Sequence, residues 1–245
     1  MDQNSDFNSL FEFYCLNYKD EERKKSMEKR FHTLDISCNF HEGIDYTIDE
    51  RTKHLNLNAS CMYGHLDMIH KFYYNTCKPY GIFCEDDILI HTQLKEYLLK
   101  IIPFFKDLNL DVLLLGYLLS HPIYENSLEF NEIILYNNNY DSTEFPFKFY
   151  HFCQELWGTQ MYMLSRENAK TLLDKYYNGN YLKEYIQNPN ITPFGADWTI
   201  TKDGNRAMVY PLLVIEDGKK KYEVDFQEEY HSKSFLTNYI ENIHI

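Results

Sequence analysis

The chain has no pair of cysteines at C-x-x-C spacing. Its six cysteines (Cys15, Cys38, Cys61, Cys77, Cys84 and Cys153) are scattered, several of them inside apolar runs. This argues against a zinc ribbon or a disulfide scaffold and makes a reducing compartment the default. Long apolar runs are missing too. The longest, Val112 to Leu119, is interrupted by Gly116 and falls far short of the roughly 20 residues that span a bilayer. Met1 to Ser9 is polar and lacks the basic-then-apolar layout of a secretory leader. A soluble protein, cytoplasmic by default, is expected. Basic residues are in deficit: 24 Lys and Arg against 37 Asp and Glu give a formal charge of −13. That balance argues against broad electrostatic binding to nucleic acid or to an anionic membrane surface. A polyanionic ligand would need a cation or a local basic patch. No repeat and no clear linker divides the 245 residues, so a single domain over 1–245 is expected, and 44% hydrophobic residues suffice for a sizeable core. The abundance of Asn, Tyr, Ile and Lys fits an AT-rich genome, such as that of a parasite, a bacterium or a large virus.

What is present is more specific. Gly81-Ile82-Phe83-Cys84 is a short apolar run that ends in three acids, Glu85, Asp86 and Asp87. Adjacent carboxylates repel and are costly to desolvate, so three at the end of a buried strand call for a cation. Oxygen donors suit Mg²⁺ or Mn²⁺ rather than zinc. An extended backbone would put Glu85 and Asp87 on one face and Asp86 on the other, an acid-x-acid clamp. The same run also reads as a solvated acidic turn.

Around it the chain alternates strand and helix. Phe11 to Leu16 is an aromatic-rich strand, Asn17 to Asp20 a turn, and Asp20 the cap of a largely wet helix running to about Phe31. Residues 35–56 show no firm period. Met62, Leu66, Ile69 and Phe72/Tyr73 recur at helical spacing from Asn58 or Ser60, until Pro79 leads into the strand ending at Glu85. Leu94, Tyr97/Leu98 and Ile101/Ile102 mark another helix, expected to stop at Pro103. Asp111 to Gly116 reads as a strand buried on both faces. Further strands are expected at Glu132 to Tyr136, Gln160 to Leu164 and Met208 to Ile215, with an Asn-rich loop at Asn137 to Thr143. Ser165 reads as the cap of a helix burying Ala169, Leu172/Leu173 and Tyr176/Tyr177. The fold class is therefore α/β, a mainly parallel central sheet flanked by helices, with ligands expected at the C-terminal ends of strands.

Taken in order, these segments resemble glycosyltransferase family 25. The resemblance rests on Cys15-Leu16-Asn17 with Arg23, on Cys61-Met62-Tyr63-Gly64-His65, on Gly81 to Asp87, and on Asp111 to Gly116. It continues through Gly158-Thr159 to Ser165 and Leu172, and ends in Phe194-Gly195-Ala196-Asp197. It is collinear over residues 10–215; Gly64 stands where the family carries serine.

The resemblance implies a single nucleotide-sugar-binding domain of the GT-A type, with residues 216–245 packing near the site. The expected activity is inverting, metal-dependent transfer of galactose or glucose from a UDP-sugar. The acceptor would be a glycan, a lipooligosaccharide or a hydroxylysine in a collagen-like chain. Mn²⁺ or Mg²⁺ would be held by Glu85, Asp87 and His231 in a DxD-like motif. Asn17, Arg23, Glu85 and Asp86 would serve the donor, and Asp197 would be the general base. Blander roles stand beside these: Asp197 as a cap, His231 as an exposed histidine, Arg23 as a surface arginine, and His65 as a structural hydrogen-bonder. The rival classes are an inactive relative acting as a binding module and a divalent-metal phosphoesterase using the same carboxylates.

Overall fold

The computed structural model describes residues 3–53, 57–124, 129–133, 146–218 and 225–245. A short helix, α1 (Gln3–Leu10), leads into β1 (Phe11–Asn17). Helix α2 (Glu21–Thr33) starts where Asp20 accepts the backbone N–H groups of Glu22 and Arg23, and it buries only Met27 and Phe31. The segment without a period contains β2 (Cys38–Glu42). Helix α3 (Leu57–Asn75) buries Met62, Leu66, Ile69 and Phe72 and is followed by β3 (Tyr80–Glu85). Three residues later the chain is extended again as β4 (Ile88–Ile90).

Helix α4 (Leu94–Asp107) does not stop at Pro103 but runs through it. Proline removes one ladder hydrogen bond. Phe104 and Phe105, each 2% exposed, hold the last turn against the core, and burying a phenylalanine is worth roughly 1.5–3 kcal/mol. Strand β5 (Val112–Gly116) is buried throughout. Strand β6 (Phe130–Glu132) lies earlier than the expected Glu132 to Tyr136; residues 134–136 and the Asn-rich stretch 137–143 fall outside the described residues. Strands β7 (Lys148–Phe152) and β8 (Met161–Ser165) follow. Ser165 then caps α5 (Arg166–Leu172), its hydroxyl accepting the Asn168 N–H, and a π-type turn leads to α6 (Asn180–Gln187). The single strand expected at Met208 to Ile215 is two, β9 (Arg206–Tyr210) and β10 (Val214–Glu216). Pro211 separates them, because a residue without an N–H cannot continue a ladder. The acidic C-terminal segment is helical, α7 (Asp225–Asn238).

The ten strands of the described residues form one sheet in the order β2-β1-β3-β8-β5-β9-β7-β6, with β10 pairing β5 and β4. Strands β4, β7 and β8 run opposite to the other seven, so the sheet is mostly parallel. Alternation along each strand feeds two cores. Ile82 packs with Met27, Phe31 and Leu98 on one face, and Phe83 packs with Met62, Leu66 and Tyr162 on the other. Strand β8 is inserted antiparallel between β3 and β5, pairing Cys84 with Met161. Its entry, residues 157–160, therefore lies beside the C-terminal end of β3, where the Glu85 N–H donates to the Gln160 carbonyl at 3.2 Å. Among the described residues no helix is long and apolar enough to cross a membrane.

Two glycines mark close approaches. A Cβ at Gly64 would stand 2.9 Å from Leu16 Cδ1, so the leucine fills the space a serine side chain would take. A Cβ at Gly116 would meet the Val214 carbonyl oxygen at 2.8 Å, and that obstacle is backbone. Gly116→Ala is expected to destabilise the protein by about 1–3 kcal/mol, read as a lower denaturant midpoint with an unchanged slope.

Candidate active site

Strand alternation ends at Glu85 because the chain bends at Asp86 and Asp87. As a result the three acids do not divide as an extended run would. Asp86 and Asp87 share one partner, the Arg23 guanidinium, whose Nη1 lies 3.1 Å from Asp86 Oδ1 and 3.4 Å from Asp87 Oδ2. Arg23 stands in the first turn of α2, the position Asp20 sets by capping that helix. Asn17, buried at the end of β1, donates from Nδ2 to Asp86 Oδ2 at 2.6 Å and to the Asp20 carbonyl at 2.8 Å. Asp86 thus has both oxygens engaged. Burial raises its pKa, opposed by Asn17 and Arg23 and reinforced by the charge of Asp87. For Arg23, burial pulls the other way but is outweighed by Asp87 and Asp86, so its pKa is raised.

Removing that guanidinium leaves two buried acids side by side. Arg23→Met is expected to cost about 1–2 kcal/mol at about pH 7, less than a fully buried pair because the arginine is partly exposed. Asp86 already titrates above its ordinary value, so its ionisation opposes folding as pH rises. The loss should therefore shrink as pH falls and Asp86, whose pKa burial raises, takes up its proton. Thermal melts of both proteins as pH is lowered check this.

Glu85 faces a different set of groups. Its Oε1 accepts the Thr159 hydroxyl at 2.6 Å and lies 4.0 Å from His65 Nε2. The same Thr159 hydroxyl is 3.2 Å from Asp197 Oδ1, which also accepts the backbone N–H groups of Gly158 at 2.7 Å and Thr159 at 3.1 Å. Asp197 thereby anchors the entry to β8 rather than capping the segment that follows it. Its pKa is raised, burial outweighing the hydrogen bonds from Gly158 and Thr159 and the charge of Lys202. Lys202 places its ammonium 4.3 Å from the centre of the Trp198 ring, and burial pushes its pKa down to about 8. His65 is fully buried, with Nδ1 2.9 Å from the Tyr162 hydroxyl, and burial pushes its pKa down to about 3. The structural hydrogen bond expected of His65 is present.

His231, on α7, sets its Nδ1 2.5 Å from Glu216 Oε2 at the end of β10, and its ring packs near Trp157. The next residue, Asp217, donates its N–H to the Asp87 carbonyl at 2.6 Å and pairs with Arg30 at 3.1 Å. The candidate residues therefore form three groups at one edge of the sheet: Asn17, Arg23, Asp86 and Asp87; Glu85 with Asp197 through Thr159; and His231 with Glu216. Glu85, Asp87 and His231 do not converge as a preformed trio. Among the described residues, the group of three possible ligands whose atoms all lie within 4.8 Å of one another is Cys61, His65 and Glu85.

Two clefts open at this edge, and the first turn of α2 contributes to both. One, of about 370 Å³, is lined by Asp20, Arg23, Arg30, Asp86, Asp87 and Asp217. The other, of about 350 Å³, is lined by Asn17, Lys19, Lys24, Phe40, His41 and Glu42. The position agrees with the rule that α/β sheets bind ligands beyond the C-terminal ends of their strands.

The family model for glycosyltransferase family 25 (LPS biosynthesis protein) matches residues 11–186, from β1 to α6. The chain belongs to glycosyltransferase family 25. It is a glycosyltransferase, and the match takes in Asn17, Arg23, Glu85 to Asp87 and Thr159, while Asp197 and His231 lie beyond it. No curated protein matches the chain. Among solved structures this family 25 chain is similar to A197 from STIV, at 11% identity and a TM-score of 0.43, covering 86% of this chain and 92% of that one. It is also similar to a glycosyltransferase involved in the glycosylation of the major capsid of PBCV-1, at 10% identity and a TM-score of 0.41, covering 91% and 98%.

Proposed function

We propose that this family 25 enzyme moves galactose or glucose from a UDP-sugar to a hydroxyl group, with inversion at the anomeric carbon. The acceptor hydroxyl belongs to a glycan or to a hydroxylysine-type side chain. The observation that carries this reading is the buried pair Asp86 and Asp87, held by Arg23 and Asn17 beside two clefts that share a helix turn. The Asn17 and Phe40 cleft suits the nucleoside, and the Arg23 and Asp87 cleft suits the diphosphate. A guanidinium already opposite two carboxylates needs only a small displacement to face phosphate oxygens.

The carboxylate donors fit a hard divalent ion, Mn²⁺ or Mg²⁺. Asp87 is assigned as its direct ligand. His231 is proposed as a further ligand, which it would become only by leaving Glu216 and moving toward Asp87. When bound, the ion neutralises charge developing on the leaving diphosphate. Asp86, with both oxygens engaged, holds the bend, and Glu85 with Thr159 faces the sugar hydroxyls. In the transfer the bond from the anomeric carbon to UDP breaks and its electron pair leaves with UDP. The acceptor oxygen forms the new bond from the opposite face, and its proton passes to the Asp197 carboxylate.

A panel of UDP-sugars with Mn²⁺, assayed for UDP release, tests the reading together with calorimetry of UDP binding. Mn²⁺-dependent UDP binding with turnover of one sugar supports it. No UDP binding in either condition overturns it.

A further inference from the structure

We propose a second metal site in this protein: a thiolate–imidazole–carboxylate site, formed by Cys61, His65 and Glu85, for a borderline-soft divalent ion such as Zn²⁺. Cys61 and His65 are four residues apart on α3, so they project from the same face of the helix. That face looks onto the C-terminal end of β3, where Glu85 stands. One ligand atom from each residue lies within 4.8 Å of the others, and His65 Nε2 is 4.0 Å from Glu85 Oε1. A tetrahedral zinc ion with ligands at ~2.0 Å (N, O) and ~2.3 Å (S) holds those atoms roughly 3.3–3.6 Å apart. Small side-chain rotations close the remaining gap.

A second, independent observation points into the same space. His65 has no exposed surface, yet its Nε2 has no hydrogen-bond partner within the protein. Leaving a buried ring nitrogen without a partner is unfavourable. The other ring nitrogen is fixed by the Tyr162 hydroxyl at 2.9 Å, the kind of outer partner that orients metal-binding histidines. Cys61 and Glu85 are only half-buried, so an ion has a route of entry from their side.

The donor set separates this site from the acid pair. Sulfur and nitrogen beside one carboxylate favour zinc over magnesium or manganese, whereas Asp86 and Asp87 offer oxygen alone. The two sites are linked at Glu85, whose Oε1 accepts the Thr159 hydroxyl that also touches Asp197. An ion taking that oxygen frees the hydroxyl proton for Asp197, so occupancy of the site reaches the reactive edge.

Co²⁺ titrated into the metal-free full chain provides the test, because a cobalt–thiolate bond adds a charge-transfer absorption that oxygen ligands lack. The expected result is one such site in the wild type, retained in Asp87→Asn and lost in Cys61→Ser. No thiolate absorption, or absorption that survives Cys61→Ser, overturns the proposal. Should Cys61→Ser not fold, zinc-soaked wild-type crystals decide. An anomalous peak bonded to Cys61 Sγ, His65 Nε2 and Glu85 supports the site, and zinc found only elsewhere overturns it. Failure here leaves Mn²⁺-dependent UDP binding at Asp87 untouched, so the two readings stand or fall separately.

Discussion

Asp87→Asn is expected to lower sugar transfer by about a hundredfold to a thousandfold or more, the size of effect seen when one group stabilising transition-state charge is removed. The substitution keeps the shape of the side chain and removes its charge. The fold should persist, because Arg23 keeps Asp86 at 3.1 Å and the contact from Asp217 N–H is to the Asp87 backbone carbonyl. What is lost is the anionic oxygen assigned to the divalent ion. In the proposed reaction the charge on the leaving diphosphate would then be left to Arg23 and Arg30, in a cleft open to solvent where such cations are screened. Two readouts separate this from general damage. The Mn²⁺ concentration giving half-maximal rate should rise with the fall in turnover, and the melting temperature should stay within a few degrees of wild type. An Asp87→Asn enzyme that transfers sugar at the wild-type rate would show that the ion is held elsewhere or is not needed.

The elements read most directly from sequence are those fixed by local rules. Asp20 and Ser165 cap helices because a short polar side chain satisfies N–H groups two or three residues on, and both do so here. The buried strands β1, β3, β5 and β8 are apolar runs bounded by turn residues, which is a local signal as well. The antiparallel insertion of β8 is not local: it pairs Met161 with Cys84 and Tyr162 with Leu114, partners far apart in the chain. The same holds for β4, a three-residue strand held by β10 and by the exchange of backbone hydrogen bonds between Ile90 and Ile245. Pro103 misleads because a local helix-breaking preference is outweighed by the burial of the two phenylalanines that follow. In the site, the acid run and Arg23 stand out in the sequence, but their pairing does not. A backbone bend at Asp86 and Asp87 sends Glu85 to Thr159 and the two acids that follow it to Arg23. Thr159 enters the sequence reading only within the Gly158-Thr159 motif, with no role attached to it, and Glu216 carries no signal of its own. Both gain a place in the site only from what the topology sets against them.

Asp197 is where that long-range placement matters most, because two roles converge on one carboxylate. As an anchor, its Oδ1 holds the N–H groups of Gly158 and Thr159. As a base, it must be ionised and lose a hydrogen-bonding oxygen to the acceptor's proton. Asn keeps a carbonyl acceptor for the two N–H groups but has no basic oxygen, whereas Ala removes both. If Asp197 is the base, Asp197→Asn should retain most of the stability and lose about a hundredfold to ten-thousandfold in turnover. Asp197→Ala should lose turnover and also about 1–3 kcal/mol of stability, because two N–H groups are left without their acceptor. The pH dependence adds an independent sign. Burial raises the Asp197 pKa, so the base is neutralised as pH falls through a value above the ordinary carboxylate range. Activity should therefore decline on the acid side earlier than an exposed aspartate would dictate, and that limb should vanish in Asp197→Asn. The same raised pKa makes ionised Asp197 a cost to folding. That cost is absent below the unfolded carboxylate pKa and fully present above the folded one, so wild-type stability relative to Asp197→Asn should fall as pH rises across that window. A wild-type acid limb that persists unchanged in Asp197→Asn, with stability and turnover lost together, would assign Asp197 to anchoring alone and leave the proton to another group.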